Sequence, residues 1–249
     1  MREVTVLVDA TDYKIRVKSL VESLGMAMIK NMNIDSNDEL VELSHFMGNL
    51  QAPFAEDLKE QVEDGFVYRV TSTASSSKRA ISQTNKEFLL HTDGTKSNVV
   101  PDFIALMMIK PAISGGQSVF LDSWSVLSNF TDSELQGILS LSYQTRFGKR
   151  KILEVKGDRF QIKFNPYELA KELNPSLTIT GDLDVGNAFN EQPLISQLCR
   201  IFSTSGKCLK YYLSPGDCII LDNRRILHGR TAFHGTRLLK RVWIQGQAE

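Results

Sequence analysis

From Leu209 to Ile244 the chain is a succession of short apolar strands cut by turn residues, and this pattern restricts the fold more than any other feature. Leu209–Leu213, Cys218–Leu221 and Leu238–Ile244 are strand-like runs, and Ser214-Pro215-Gly216-Asp217 turns the chain between the first two. Val4–Val8 and Phe66–Thr73 add two more strand signals. Leu153 and Val155, then Phe160, Ile162 and Phe164, alternate on either side of Gly157-Asp158, which predicts a hairpin with a two-residue turn. Helical spacing is confined to a few segments. Ile15, Leu20, Val21 and Leu24 predict a helix ended by Gly25. Ser36-Asn37-Asp38-Glu39 and Thr131-Asp132-Ser133-Glu134 have the form of capping boxes. The first predicts a helix over residues 37–48 with Leu40, Leu43, Phe46 and Met47 inward, and the second a helix to about Leu141. Leu194, Leu198, Ile201 and Phe202 predict one more. With no internal repeat, low-complexity tract or linker, the expectation is a mainly β, α+β chain: a β-rich sandwich with flanking helices. It reads as one domain over residues 1–249, with an N-terminal helix-and-strand segment over about 1–60.

Composition enters as a set of exclusions. The chain has 249 residues with 29 basic and 29 acidic side chains, a balance that argues against a nucleic-acid binder, which needs excess positive charge. Its longest clean apolar run, Phe103 to Ile109, is far shorter than the about 20 residues that cross a bilayer. The N-terminus shows no signal-peptide pattern. Cys199, Cys208 and Cys218 lack metal-type spacing and read as buried packing in a reducing compartment, so the expected location is the cytoplasm.

Two of the four histidines stand in suggestive places. His91-Thr92-Asp93 follows the apolar Phe88-Leu89-Leu90, and in extended chain positions i and i+2 share a face. His228 lies far downstream, behind the strand-like Cys218–Asp222. Two histidines and one carboxylate make the facial triad of non-haem Fe(II) oxygenases, with three coordination positions left over. His-x-Asp alone is a weak pattern. Two further features strengthen it: Gly115-Gly116-Gln117-Ser118, which places a hydroxyl at the start of a strand, and the basic series Arg230, Arg237, Lys240 and Arg241 beyond His228. Arginine offers a planar fork of donors to a carboxylate.

The segments Glu87–Gly94, Gly115–Ser118, Pro215–Asp217 and Leu221–Phe233, in that order, resemble the Fe(II)/2-oxoglutarate dioxygenases related to taurine dioxygenase, clavaminate synthase and γ-butyrobetaine hydroxylase. The resemblance covers roughly residues 60 to 245. It implies a double-stranded β-helix, a jelly-roll variant, with iron at one mouth. It also implies His91, Asp93 and His228 as catalytic metal ligands, with Fe(II), 2-oxoglutarate and O₂ as the reacting set. Ser118 would contact the 2-oxoglutarate. Arg237 and Arg241 match the family's Arg-x-x-x-Arg pattern: Arg237 is assigned to the distal carboxylate and Arg241 to a supporting or substrate-facing role, the two being interchangeable on spacing. Arg230 reads as structural. The activity implied is oxidation of a substrate C–H bond, hydroxylation first and desaturation or ring formation as alternatives, coupled to decarboxylation to succinate and CO₂. Halogenases of this group lack the carboxylate, which Asp93 supplies here. A non-catalytic jelly-roll binding module accounts for the strands but not the triad, and a zinc hydrolase accounts for the triad but not the arginines.

The remaining features point less sharply. Arg146, Lys149, Arg150, Lys151, Lys156, Arg159 and Lys163 form a basic run, read first as a solvated hairpin and second as a docking patch for an acidic carrier protein. His45 and His234, the latter in an expected turn, are not read as ligands, and Trp124 and Trp243 are read as packing. The expected substrate is a small, amino-acid-derived molecule held by loops Ser72–Thr84, where Lys78 and Arg79 lie, Lys96–Val100 and Thr178–Gln192.

Overall fold

The computed structural model describes residues 5–52, 61–72, 81–175, 177 and 183–246. The candidate loop residues 73–80, with Lys78 and Arg79, and 178–182 fall outside them. In chain order the first strands are β1 (Thr5–Leu7), β2 (Met26–Lys30), β3 (Asn49–Gln51), β4 (Val62–Glu63), β5 (Val67–Ser72) and β6 (Phe88–His91). They are followed by β7 (Phe103–Lys110), β8 (Ser114–Gly115), β9 (Ser118–Asp122), β10 (Ser142–Thr145), β11 (Gly148–Lys151) and β12 (Leu153–Lys156). The last are β13 (Arg159–Ile162), β14 (Leu209–Tyr211), β15 (Cys218–Asp222), β16 (Ile226–Arg230), β17 (Phe233–His234) and β18 (Arg237–Gln245).

Two sheets face each other. The larger runs β1-β2-β15-β7-β18-β5-β4, with β3 also paired to β18, and the smaller runs β14-β9-β16-β6. Apart from the parallel β1–β2 pair, the ladders are antiparallel. Period-two alternation assigns each strand residue to a layer. On β15, Ile219 and Leu221 point to the space between the sheets, while Cys218 and Ile220 point outward. The inner layer holds Met28, Ile104, Met108, Phe120, Ile226 and Leu239. Outside the large sheet, helices α1 (Tyr13–Leu24) and α2 (Asp38–Met47) close a second layer with Val17, Val21, Leu40, Leu43 and Met47. Outside the small sheet, the long insertion between β9 and β14 closes a third. That insertion carries α3 (Ser123–Leu127), α4 (Asp132–Ser140), α5 (Pro166–Leu173), α6 (Val185–Ala188) and α7 (Pro193–Thr204).

Most local expectations hold, with instructive exceptions. Thr131 accepts from the Glu134 amide while Glu134 accepts from the Thr131 amide, the reciprocal box expected of that sequence. The Ser36 box does not form. Glu39 instead accepts from the Asn33 amide at 2.7 Å, and Asn37 takes the cap position without a side-chain cap bond. Helix α1 turns Val17 and Val21 inward and leaves Ile15 65% exposed, and Phe46 on α2 is 41% exposed. The β12–β13 hairpin forms around Gly157 as expected. His234 lies in the short strand β17, not a turn, and the strand beginning at Leu209 stops at Tyr211 rather than Leu213. Among the described residues, no helix is long and apolar enough to cross a membrane.

Candidate metal and anion site

The small sheet brings together the two ends of the sequence motif. His91 ends β6 and sits directly opposite His228 on β16. Gly229, next to His228, permits the close approach of these strands, because a Cβ there would lie 2.5 Å from the Phe88 carbonyl oxygen. Asp93 follows two residues after His91, and its backbone is held by Asn223. The Asn223 Oδ1 accepts from the Asp93 amide at 2.8 Å, and its Nδ2 donates to the carbonyls of Asp93 at 3.0 Å and Pro101 at 2.9 Å. Thr92 is pinned to Phe164 of the insertion, its amide donating to the Phe164 carbonyl and its Oγ1 accepting from the Phe164 amide. Tyr167 on α5 caps the free edge of β6, its hydroxyl accepting from the Leu89 amide.

These restraints converge on one small volume. The Asp93 Oδ1 lies 3.5 Å from the His91 Nε2 and 3.7 Å from the His228 Nε2, and candidate ligand atoms of the three buried residues lie within 4.8 Å of one another. His91 is oriented by the contact of its Nδ1 with the Leu89 carbonyl at 2.8 Å and by stacking on Phe88. With Nδ1 donating, Nε2 presents its lone pair to the centre, as a metal-binding imidazole does. Among the described residues, the His228 Nδ1 is buried without a partner. Burial, and then the neighbouring His91, push the His228 imidazole down to about 3, so it is a neutral donor near pH 7. Burial acts to raise the Asp93 carboxyl, but Arg241 and the two imidazoles outweigh it and hold the group far below the usual carboxylate range.

The two arginines on β18 have different partners. Arg241 Nη1 donates to the Asp93 Oδ2 at 2.7 Å, and Trp243 Nε1 donates to the same oxygen at 2.9 Å. Trp243 therefore has a polar role in addition to the packing expected of it. Arg237 lies two pleat repeats away, 3% exposed, and its Nη2 donates to the Ser118 Oγ at 3.0 Å. Among the described residues its Nε has no partner and no carboxylate pairs with it. Burial, and then repulsion from Arg230, lower the Arg237 guanidinium to about 9. Arg230 is structural as expected. It donates to the carbonyls of Ile81, Ser82, Thr84 and Lys86 and so straps that segment over the small sheet. One cavity connects His91 and His228 to Ser118, Arg237 and Arg241, with Val70, Leu106, Phe120 and Leu239 as its apolar wall.

A triad beside a buried guanidinium that meets no acid among the described residues fits an iron ion with a chelating dicarboxylate. Comparison with known proteins agrees: residues 5–243 match the taurine catabolism dioxygenase TauD, TfdA family. The chain belongs to this family. Among relatives of this TauD/TfdA member, 3-((Z)-2-isocyanoethenyl)-1H-indole synthase of Fischerella ambigua is 29% identical over 180 residues, 65% of this chain and 64% of that protein. Glutarate 2-hydroxylase of Citrobacter koseri is 24% identical over 87% of this chain and 66% of that protein. Dioxygenase str8 of Strobilurus tenacellus is 26% identical over 89% of this chain, a match spanning 54% of that protein. The chain thus spans between about half and two thirds of these relatives. In fold, an asparagine oxygenase solved with Fe(II), 3-hydroxyasparagine and succinate superposes with a TM-score of 0.70 at 15% identity, covering 95% of this chain and 80% of that one. PvcB from Pseudomonas aeruginosa gives 0.64 at 21% identity, covering 93% and 79%.

The basic run has a structural use that its sequence did not show. Arg150 donates to the carbonyls of Thr95, Ser97 and Asn98 and fixes the loop that follows the triad aspartate, Lys151 donates to Leu139, and Lys163 pairs with Glu154. Asn223, Trp243 and Arg150 support the site in ways the sequence does not show: Trp243 reads there only as packing and Arg150 only as part of the basic run.

Proposed function

We propose that this TauD/TfdA member is a single-domain Fe(II)/2-oxoglutarate-dependent oxygenase that hydroxylates a C–H bond of a small, amino-acid-derived molecule. The observation that carries the reading is the convergence of three buried ligand atoms on one point beside Arg237, a buried guanidinium that meets no acid among the described residues. His91, Asp93 and His228 would hold Fe(II). Bound there with 2-oxoglutarate and O₂, the iron would couple decarboxylation of the 2-oxo acid to succinate and CO₂ with oxidation of the substrate C–H bond.

The chain's own residues supply orientation and shelter. Arg237 and Ser118 offer adjacent donors to the distal carboxylate of 2-oxoglutarate, and a guanidinium desolvated in this way gains most from a paired anion. Val70, Leu106, Phe120 and Leu239 keep water from the space between that anchor and the histidines. Arg241 has its charge committed to Asp93, which favours Arg237 over Arg241 as the anchor. The small-molecule reading draws on the relatives, whose names specify an indole isonitrile, glutarate and asparagine. It also draws on the engagement of Arg150, Lys151 and Lys163 within the chain, which leaves less of the basic run to dock a carrier protein.

The test is 2-oxoglutarate turnover with Fe(II) across a panel of amino acids and their derivatives, read as succinate released and product mass. The reading predicts that at least one panel member stimulates succinate release and gains one oxygen atom. Absence of Fe(II)-dependent succinate under all conditions would remove it.

A further inference from the structure

The Asp93 carboxylate has two oxygens in unlike settings. Oδ1 faces the two imidazole Nε2 atoms, at 3.5 and 3.7 Å. Oδ2 is taken by two donors from the opposite sheet, Arg241 Nη1 at 2.7 Å and Trp243 Nε1 at 2.9 Å. These donors are coupled by geometry. Residues 241 and 243 share the inner face of β18, and the Arg241 guanidinium lies 5.1 Å from the Trp243 ring centroid and 4.9 Å from that of Tyr68. The strand is fixed in register, with Trp243 opposite Ile104 on β7 and Gln51 on β3.

We propose that Trp243 is a positioning residue for the metal site: its indole N–H, with Arg241, holds the Asp93 Oδ2 so that the carboxylate offers the metal Oδ1 alone. The proposal rests on the iron-site reading above and goes beyond it by giving the large sheet a direct part in a site whose ligands belong to the small sheet and the turn after it. An aspartate free to rotate about its terminal bond can present either oxygen or both, and a bidentate carboxylate takes up a coordination position that the reacting molecules need. Two donors on Oδ2 remove that freedom. Arg241 supplies the charge, and the indole supplies a second, rigid direction, because a single donor leaves the carboxylate plane free to swing about the hydrogen bond. Outer partners of this kind commonly change metal affinity by about 10- to 100-fold.

The experiment reads the metal site without turnover. In an isotope-labelled sample of the whole protein the indole N–H signals number two, from Trp124 and Trp243. Trp124 Nε1 donates to the Phe160 carbonyl at 2.7 Å, away from the triad, and serves as an internal control. Titration with Zn(II), a diamagnetic substitute, should shift the Trp243 signal and leave the Trp124 signal in place. In parallel, Trp243→Phe keeps a ring face for Arg241 and removes the donor. Competition against a chromophoric chelator should show Zn(II) bound about tenfold more weakly by that variant. A Trp243 signal indifferent to bound Zn(II), or a folded Trp243→Phe protein with unchanged affinity, overturns the proposal. If Trp243→Phe does not fold, the indole titration of the unaltered protein decides alone. Failure of the unaltered protein to take up Zn(II) and Fe(II) would defeat the metal-site reading itself, a result distinct from metal uptake with a silent Trp243.

Discussion

Arg237 and Arg241 stand on the same strand, on the same face, four residues apart, and the fold treats them in opposite ways. Arg241 is matched by a buried carboxylate at 2.7 Å and flanked by two aromatic rings. Among the described residues, Arg237 meets one serine hydroxyl and retains an unpartnered Nε. Removing one member of a buried ion pair strands the other, whereas removing a buried charge that has no counterion strands no opposite charge. On the proposed reading, the difference separates a residue that completes the protein from one reserved for a bound anion.

That contrast yields its largest prediction in stability. Arg241→Ala should lower the unfolding free energy of the metal-free protein by about 3 kcal/mol, because Asp93 is left buried without its cation. Arg237→Ala should cost far less or even stabilise, yet weaken 2-oxoglutarate binding by about 100-fold, from loss of a paired charge contact. Denaturant melts of the two variants, set beside 2-oxoglutarate titrations, would break the comparison if both lost stability equally. Asn223→Ala comes next. It leaves the amide of Asp93 and two carbonyls without partners in a fully buried place, so a loss of about 2 kcal/mol with weakened metal uptake is expected by calorimetry and metal titration.

Smaller effects sharpen the contrast between engaged and free cations in the basic run. Arg150→Ala should cost about 1 kcal/mol by loosening its bonds to the Thr95–Asn98 loop, while Lys149→Glu on the exposed hairpin should change stability by less than about 0.5 kcal/mol. A salt-sensitive substrate KM abolished by Lys149→Glu would restore the carrier-docking reading. Smallest in consequence for the site is Thr131→Ala, which should cost about 1 kcal/mol through the lost cap and leave metal uptake unchanged.

These same residues show what was legible in the sequence. The Thr131 box, the Gly157 hairpin and the apolar run of β15 are local and could be read directly. The Ser36 box failed because a competing donor, the Asn33 amide, takes the Glu39 carboxylate, and the helix starts one residue later. His91, Asp93 and His228 were legible through a motif that spans the chain. Their supports were not, since Asn223 and Trp243 reach Asp93 across separations of 130 and 150 residues, set by which strands pair. One signal for Trp243 was present: it lies two positions after Arg241 on a strand, and so on the same face. Arg150 lay within a charge run whose composition suggests solvent, and only the fold of the loop beside it gives that cation three carbonyls.

The most direct measurement is an anaerobic titration with Fe(II) followed by 2-oxoglutarate, monitored in the visible range, on the unaltered protein and on Arg237→Ala. The account predicts a weak charge-transfer band that saturates at one 2-oxoglutarate per chain and, in Arg237→Ala, needs about 100-fold more 2-oxoglutarate to appear. A protein that binds Fe(II) but develops no such band, or a band indifferent to Arg237, would contradict it.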